Sequence, residues 1–297
     1  MAKRRLIVVL RGGLGNQLFQ YASCRALSLR VGAQPVLDPY SGFSDDIYGR
    51  GYQLHNFRIA AEVLDQDKAL WARRRHNVQR ELGWRVEHLY FRCFNSYYMP
   101  SVLGCLSNGT LGRDLYVMEY LQSYRYFQHI APVLLEELAP ARPLNSEQQR
   151  LADAILEGAS ASVHLRRPHA LGPDGRVITP AYIGTELHGD YYRAAANYIR
   201  RKAPGIRFFI FSDDPDAGER LAGVFGSESA VVHVDAGDAC VDLFLMSLCQ
   251  HNIIANSTFS WWGAWLNRWP DKTVCAPARW YTGPVPRDFY PPGWLVL

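Results

Sequence analysis

The sequence predicts an α/β chain of two Rossmann-like lobes with a cleft between them, and three observations carry that expectation. A length of 297 residues suits two domains, since one domain usually takes roughly 100–150. Short apolar runs alternate with segments of helical period, the β-then-α order of parallel sheets. The polar and glycine-rich motifs fall where predicted strands end, which is where open parallel sheets bind ligands. An apolar fraction of 48% with 20% charged residues excludes a disordered, collagen-like or coiled-coil chain. The net charge of +4, from 32 basic and 28 acidic residues, does not call for a nucleic-acid partner but suits a pocket that attracts phosphate.

Leu6 to Leu10 reads as the first strand. The turn Arg11-Gly12-Gly13-Leu14-Gly15-Asn16-Gln17 follows, then a helix with Leu14, Leu18, Ala22, Ala26 and Leu29 on its apolar stripe up to Gly32. A strand from Gln34 to Leu37, ending at Asp38, completes a βαβ unit. The region from Tyr40 to Tyr126 has clustered aromatics and arginines but no clean period, so it yields no elements. Past Pro140 and Pro143, Asn145-Ser146-Glu147 opens a helix to Gly158, which places the change of lobe at 143/144. Strands are then expected at Ala161 to Leu165, Phe208 to Phe211, Ala230 to Val234 and Asn252 to Ala255. Helices are expected from Asp190, which caps a segment ending in Arg200-Arg201-Lys202, from Ser212, from Val241 to Gln250 with Asp242 opening it, and from Thr258 to Arg268.

The apolar run beginning at Leu6 is too short for a signal peptide, and no uncharged stretch approaches the roughly 20 residues that span a bilayer, so a cytoplasmic chain without an integral membrane segment is expected. Peripheral association with a membrane stays compatible with this. The six cysteines form no CxxC pair and read as reduced packing residues, with no metal site and no disulfide framework expected.

Four clusters can carry chemistry. In the first, Gly13 and Gly15 let backbone approach a ligand, and the helix start at Asn16 offers unpaired N–H groups to an anion. A dinucleotide fingerprint would need glycine where Leu18 stands. Asp38, however, lies near the offset of a ribose-binding carboxylate, which keeps an NAD-dependent oxidoreductase open. In the second, His164-Leu165-Arg166-Arg167 places guanidinium groups at a strand exit, where they fork onto diphosphate oxygens. Arg167 reads equally as a salt-bridge support of the loop. In the third, Phe211-Ser212-Asp213-Asp214-Pro215 delivers carboxylates to a helix start, where capping explains at least one of them. In the fourth, Asn256-Ser257-Thr258-Phe259-Ser260 offers hydroxyls and N–H groups for a second phosphate oxygen, while Trp261, Trp262 and Trp265 read as packing. Asp242 reads as an acceptor for a base amine or as a plain cap.

The stretches 11–22 and 120–127, His164-x-Arg166-Arg167, Phe211-Ser212-Asp213-Asp214 and 256–266 together resemble the bacterial α-1,2-fucosyltransferases of glycosyltransferase family 11. The resemblance spans nearly the whole chain, and its first and last motifs are the specific ones. It implies a GT-B fold, GDP-β-L-fucose as donor, the hydroxyl of a galactose-terminated oligosaccharide or lipid-linked glycan as acceptor, inversion at the anomeric carbon, and no metal or other cofactor. The N-terminal lobe, 1–143, would be the acceptor side and the C-terminal lobe, 144–297, the donor side. Arg166 would face the diphosphate, His164 and Asp242 the nucleoside, and Asn16 the donor where the lobes meet. Gly13, Gly15, Arg167, Asp213, Asn256, Ser257, Thr258 and Phe259 would complete the donor site.

The family pattern continues after the paired arginines with Gly-Asp-Tyr, whereas this chain has Pro168-His169-Ala170, so the carboxylate expected as base is missing. His169, with an ordinary pKa near 6.5, is a candidate for that role, as are Asp174, Glu186 and Asp190. A nucleotide-sugar-binding protein without transferase activity is the reading that follows if no base serves.

Overall fold

The computed structural model describes residues 4–44, 46–69, 114–117, 119–166, 170–171, 177–178, 187, 189–212, 216, 221, 223–226, 229–233, 239–280 and 288–297. Contacts divide the chain into two compact units, Met1–Leu54 with Ile59–Leu134, and His55–Arg58 with Leu135–Leu297. The change of unit thus falls at Leu134/Leu135, where the sequence reading placed it at 143/144. Segment 55–58 belongs with the second unit because Phe57 bridges Pro140, the Arg58 N–H donates to Ala139 O, and the Ala141 N–H donates to Asn56 O.

In the first unit, β1 (Arg5–Val9), β2 (Gln34–Asp38), β3 (Glu62–Val63) and β4 (Asp114–Val117) form a parallel sheet in the order β3-β2-β1-β4. The run Leu6–Val9 is buried along its whole length, as a central parallel strand covered on both faces must be. Helix α1 (Leu14–Val31) crosses over between β1 and β2, and Gly32 ends it in the left-handed conformation (φ 64°), which glycine adopts without a Cβ clash. Leu14, Leu18, Ala22 and Ala26 are buried as expected, but Leu29 is 46% exposed. Leu29 shares the angle of that stripe but stands in the last turn of α1, where Leu27 is the buried leucine instead.

The second unit carries β5 (Ser160–Leu165), the antiparallel pair β6 (Ala170–Leu171) and β7 (Val177–Ile178), β8 (Arg207–Ser212), β9 (Ala230–His233), β10 (His251–Ile253), β11 (Val274–Ala276) and β12 (Leu295–Val296). Six of these form an all-parallel sheet ordered β12-β11-β10-β5-β8-β9. Its described helices are α3 (Ser146–Leu156), α4 (Gly189–Lys202), α5 (Ala239–Leu248) and α6 (Thr258–Leu266), and α2 (Ala131–Glu137) precedes them at the change of unit. Side chains alternate along β8. Phe208 and Ile210 pack with Tyr192, Ala195 and Ile199 of α4, while Phe209 and Phe211 pack with Ile155 of α3 and Val241 and Leu245 of α5. Gly263 lets α6 approach α5 closely, since a Cβ there would lie 3.1 Å from Met246 Cβ.

Three local expectations change. Ser212 closes β8, fully buried and paired with Leu165 and His233, rather than starting a helix, because the sheet claims its backbone. Asp190 lies inside the first turn of α4, where it acts on the helix dipole and not as the N-cap. Asp242 lies in the first turn of α5, which opens at Ala239, before Val241. Trp261 and Trp262 are fully buried, and Trp261 donates from Nε1 to Phe289 O at 3.0 Å, so these rings are core, as their spacing suggested.

A lysine closes α6. Lys272 Nζ donates to Ala264 O at 2.8 Å and Asn267 O at 2.6 Å, satisfying carbonyls at the end of α6 and just beyond, and burial pulls its pKa down to about 8. Lys272→Met is expected to lower stability by about 1–3 kcal/mol, read as the urea midpoint at pH 7, because it leaves those carbonyls without a donor. An unchanged midpoint would show that water replaces the ammonium at no cost.

Candidate functional site

Two clusters, one in each unit, gather at the C-terminal ends of the parallel strands. In the second unit, β5 delivers His164 and Arg166, and β10 runs through Asn256 and Ser257 into α6. Two contacts join these segments, which lie 90 residues apart along the chain: Arg166 Nη1 donates to Asn256 O at 3.3 Å. The His164 ring sits 5.5 Å from the Phe259 ring. Ser257 is the N-cap of α6 but makes no side-chain capping bond, and the first turn carries no acidic residue. Its first N–H groups and dipole thus stay available to an anion beside the guanidinium, with Thr258 at the first helical position. Ser260 is committed to structure, its Oγ donating to Ser257 O at 3.2 Å.

His164 is buried, and among the described residues its Nδ1 has no hydrogen-bond partner. Burial, helped by the positive charge of Arg166, lowers its pKa to about 3, so the ring is neutral at pH 7 and presents an uncharged polar edge in an apolar wall. His251, whose Nδ1 accepts from the Thr273 N–H at 3.0 Å, is shifted downward first by burial and then by Lys202. Both imidazoles bind a proton less readily folded than unfolded. Their contribution is therefore fully present above about pH 6.5 and declines as pH falls below it, the His164 share continuing to decline toward about 3. The denaturant midpoint is expected to drop between pH 7.5 and pH 5, and an unchanged or rising midpoint across that range would contradict the assignment.

Asp242 is 6% exposed in the first turn of α5, next to Val241, which packs in the same cluster as Phe259. Arg167, His169 and Asp213, with Asp214, lie outside the described residues.

In the first unit, Gly13 is the N-cap of α1, again without a side-chain capping bond, and Gly15 and Asn16 lie in the first turn, which carries no acidic residue. Gly12 adopts φ 76°, and a Cβ on it would lie 2.6 Å from Asn16 Nδ2 and 3.3 Å from the Tyr120 ring, so only glycine fits. Gln122 Nε2 donates to Asn16 Oδ1 at 2.8 Å, and the Arg11 guanidinium stacks on Tyr120 at 4.4 Å. Between Tyr120 and Gln122, Leu121 has φ 51°, a left-handed conformation that costs a leucine on the order of 1–2 kcal/mol. Sequence reading quoted segment 120–127 without giving it a role. The exposed aromatic before Gln122 was the available signal, but its partner lies some hundred residues upstream.

Asp38 is engaged by its own loop through one carboxylate oxygen, while its buried Oδ2 has no hydrogen-bond partner among the described residues. It is 1% exposed, and its Oδ1 accepts from the N–H groups of Tyr40 (3.0 Å) and Ser41 (2.9 Å), shaping the turn after β2. The oxidoreductase reading rested on the first βαβ unit, and Asp38, its candidate ribose-binding residue, is held through one oxygen in the turn after β2.

The two Rossmann-like units with parallel sheets have the architecture of the GT-B class. The family model for glycosyl transferase family 11 matches residues 86–297, and the chain belongs to that family. It is similar to the O-antigen biosynthesis glycosyltransferase WbnK of Escherichia coli, 28% identical over 97% of this chain and 99% of that one. It is equally similar to the alpha-1,2-colitosyltransferase of E. coli, 28% identical over 93% and 92% of the two chains. A solved structure of an Arabidopsis thaliana FUT1 mutant in complex with GDP shares the fold, with a TM-score of 0.53 at 11% identity over 92% of this chain and 70% of that one. No described helix is long and apolar enough to cross a membrane.

Proposed function

We propose that this glycosyltransferase moves L-fucose from GDP-β-L-fucose to the 2-hydroxyl of a galactose-terminated glycan, inverting the anomeric centre without a metal, on the cytoplasmic side in surface-glycan or oligosaccharide synthesis. The observation that supports the reading is the joining of Arg166 to Asn256 at the uncapped start of α6, which brings a cation beside oriented N–H groups, the combination a departing diphosphate calls for. The acceptor oxygen attacks the fucose anomeric carbon from the face opposite GDP. The bond to the β-phosphate oxygen breaks, and the charge that develops on GDP meets Arg166, the hydroxyls of Ser257 and Thr258, and the helix start. Neutral His164 and the Asp242 carboxylate are suited to the polar edge of a base. In this reading His169 takes the acceptor's proton, a contribution of roughly 10²–10⁴-fold for a general base.

The similarity to an alpha-1,2-colitosyltransferase favours a second donor, since colitose is L-fucose without its 3-hydroxyl. Incubation with GDP-fucose or GDP-colitose, a panel of galactosides and a chelator, followed by NMR of the product, tests the reading. An α-1,2-linked fucoside formed in the presence of the chelator is expected. A β-linked product, dependence on a metal, or preference for the 3-deoxy donor would each correct the corresponding part. Donor binding with neither product nor donor hydrolysis would make the protein a binding protein.

A further inference from the structure

We infer that Tyr120 and Arg11 form the platform on which the acceptor's terminal sugar stacks, with Gln122 orienting Asn16 beside it; the inference deepens the reading above and rests on its galactoside acceptor. Tyr120 is 39% exposed, and it lies just beyond the C-terminal end of β4, on the ligand side of a parallel sheet. Its ring is held in place. Arg11 stacks at 4.4 Å, and Gly12 is bare of side chain where the ring edge approaches. Arg11 is itself anchored, since its backbone N–H donates to the buried Gln20 Oε1 at 3.1 Å. A large aromatic fixed at a strand end while 39% of its surface stays exposed is arranged for contact with something else.

The surrounding groups specify what. Arg11 has Glu119 4.0 Å away, with 79% of that side chain exposed, and the amides of Asn16 and Gln122 lie next to them. The Tyr120 face that Arg11 does not cover, with a carboxylate and amide donors and acceptors nearby, matches a pyranose, whose C–H face is apolar and whose rim is hydroxyls. Galactose suits such a face, because its axial 4-hydroxyl leaves the hydrogens of C3, C4 and C5 together on one side. The strained backbone supports the same conclusion. Leu121 is kept at φ 51° with Ser23 Oγ donating to its carbonyl at 3.4 Å, and the bend sends Tyr120 and Gln122 to their separate partners. Strain of this kind persists where the surrounding structure holds it, and it concentrates at binding sites.

The test separates acceptor from donor. Saturation-transfer NMR with methyl β-galactoside and lactose reads acceptor binding directly, calorimetry with GDP reads donor binding, and initial rates give the acceptor KM. Tyr120→Ala is expected to raise the acceptor KM about tenfold and to remove most of the saturation transfer, with GDP affinity within about twofold of the parent. Tyr120→Phe keeps the face and is expected to stay near the parent. Should the alanine variant not fold, Tyr120→Leu, which covers Gly12 without a π face, is read instead. Equal behaviour of the Phe and Ala or Leu variants, a parallel loss of GDP binding, or a parent that gives no saturation transfer from any galactoside would overturn the inference. If the parent binds galactosides through Tyr120 but uses another donor, only the donor assignment fails.

Discussion

Replacing Arg166 with Ala is expected to lower the rate of glycosyl transfer about 10²–10³-fold, the loss of roughly 3–4 kcal/mol that follows removal of one preorganised donor to a developing anion. The expectation follows from charge and position together. A guanidinium stays protonated at every accessible pH, and Arg166 lies just past the end of β5, where its Nη1 donates to Asn256 O at 3.3 Å beside the start of α6. Arg166→Lys keeps the charge but loses the fork and is expected to recover only part of the rate. A second signature reports on the same residue. Its charge helps hold the His164 pKa down, so the histidine resonance in the Ala variant is expected to titrate higher than in the parent. Single-turnover rates with GDP-fucose and histidine NMR titrations make the check; near-parental turnover would remove Arg166 from the reaction.

The largest stability effect is expected inside the second unit, at Asn252. This fully buried side chain donates from Nδ2 to Ser162 Oγ at 2.7 Å and to Met246 O at 3.0 Å, and accepts from Asn267 Nδ2 at 2.8 Å. Asn267 in turn donates to Cys249 O at 2.7 Å and accepts from the Trp269 N–H at 2.8 Å. The network ties β5, β10, the end of α5 and the end of α6 into one frame, which is the frame that sets Arg166 against Asn256. Asn252→Ala leaves several buried groups without partners, and a loss of about 3 kcal/mol is expected, seen as a fall of about 6–12 °C in the melting temperature. Asn252→Asp should do no better, since it replaces both donors with a buried charge. A melt within about 2 °C of the parent would mean that water enters and repairs the network.

The second unit was largely legible because its signals are local. Each of β5, β8, β9 and β10 lies within a residue or two of where its apolar run suggested, and Asn145 opens α3 with a capping box closed by Gln148. The misjudged element starts, at Ser212, Asp190 and Asp242, are places where Ser and Asp suit a strand end, a cap or a first turn alike and only the neighbouring strand decides, and the short strands β6, β7, β11 and β12 carried too few residues to show a period. The region from Tyr40 to Tyr126 resisted reading because its described elements are short. Glu62–Val63 and Asp114–Val117 exist as strands through pairing with β2 and β1, and no periodicity shows in so few residues.

Composition, period and motif spacing were enough to set the class of fold and the central strands and helices of the second half, and to single out His164, Arg166, Asn16 and Asn256 to Phe259 as candidates for chemistry. They are written in neighbouring residues, and local backbone preference together with burial of one face is enough to express them. Tertiary structure alone decided which of these side chains meet. Arg166 reaches Asn256, His164 reaches Phe259, Gln122 crosses 106 residues to Asn16, and Asp38 turns inward to its own loop. Those pairings depend on strand order and crossover, which bring distant segments to one sheet edge, and no spacing along the chain encodes that distance.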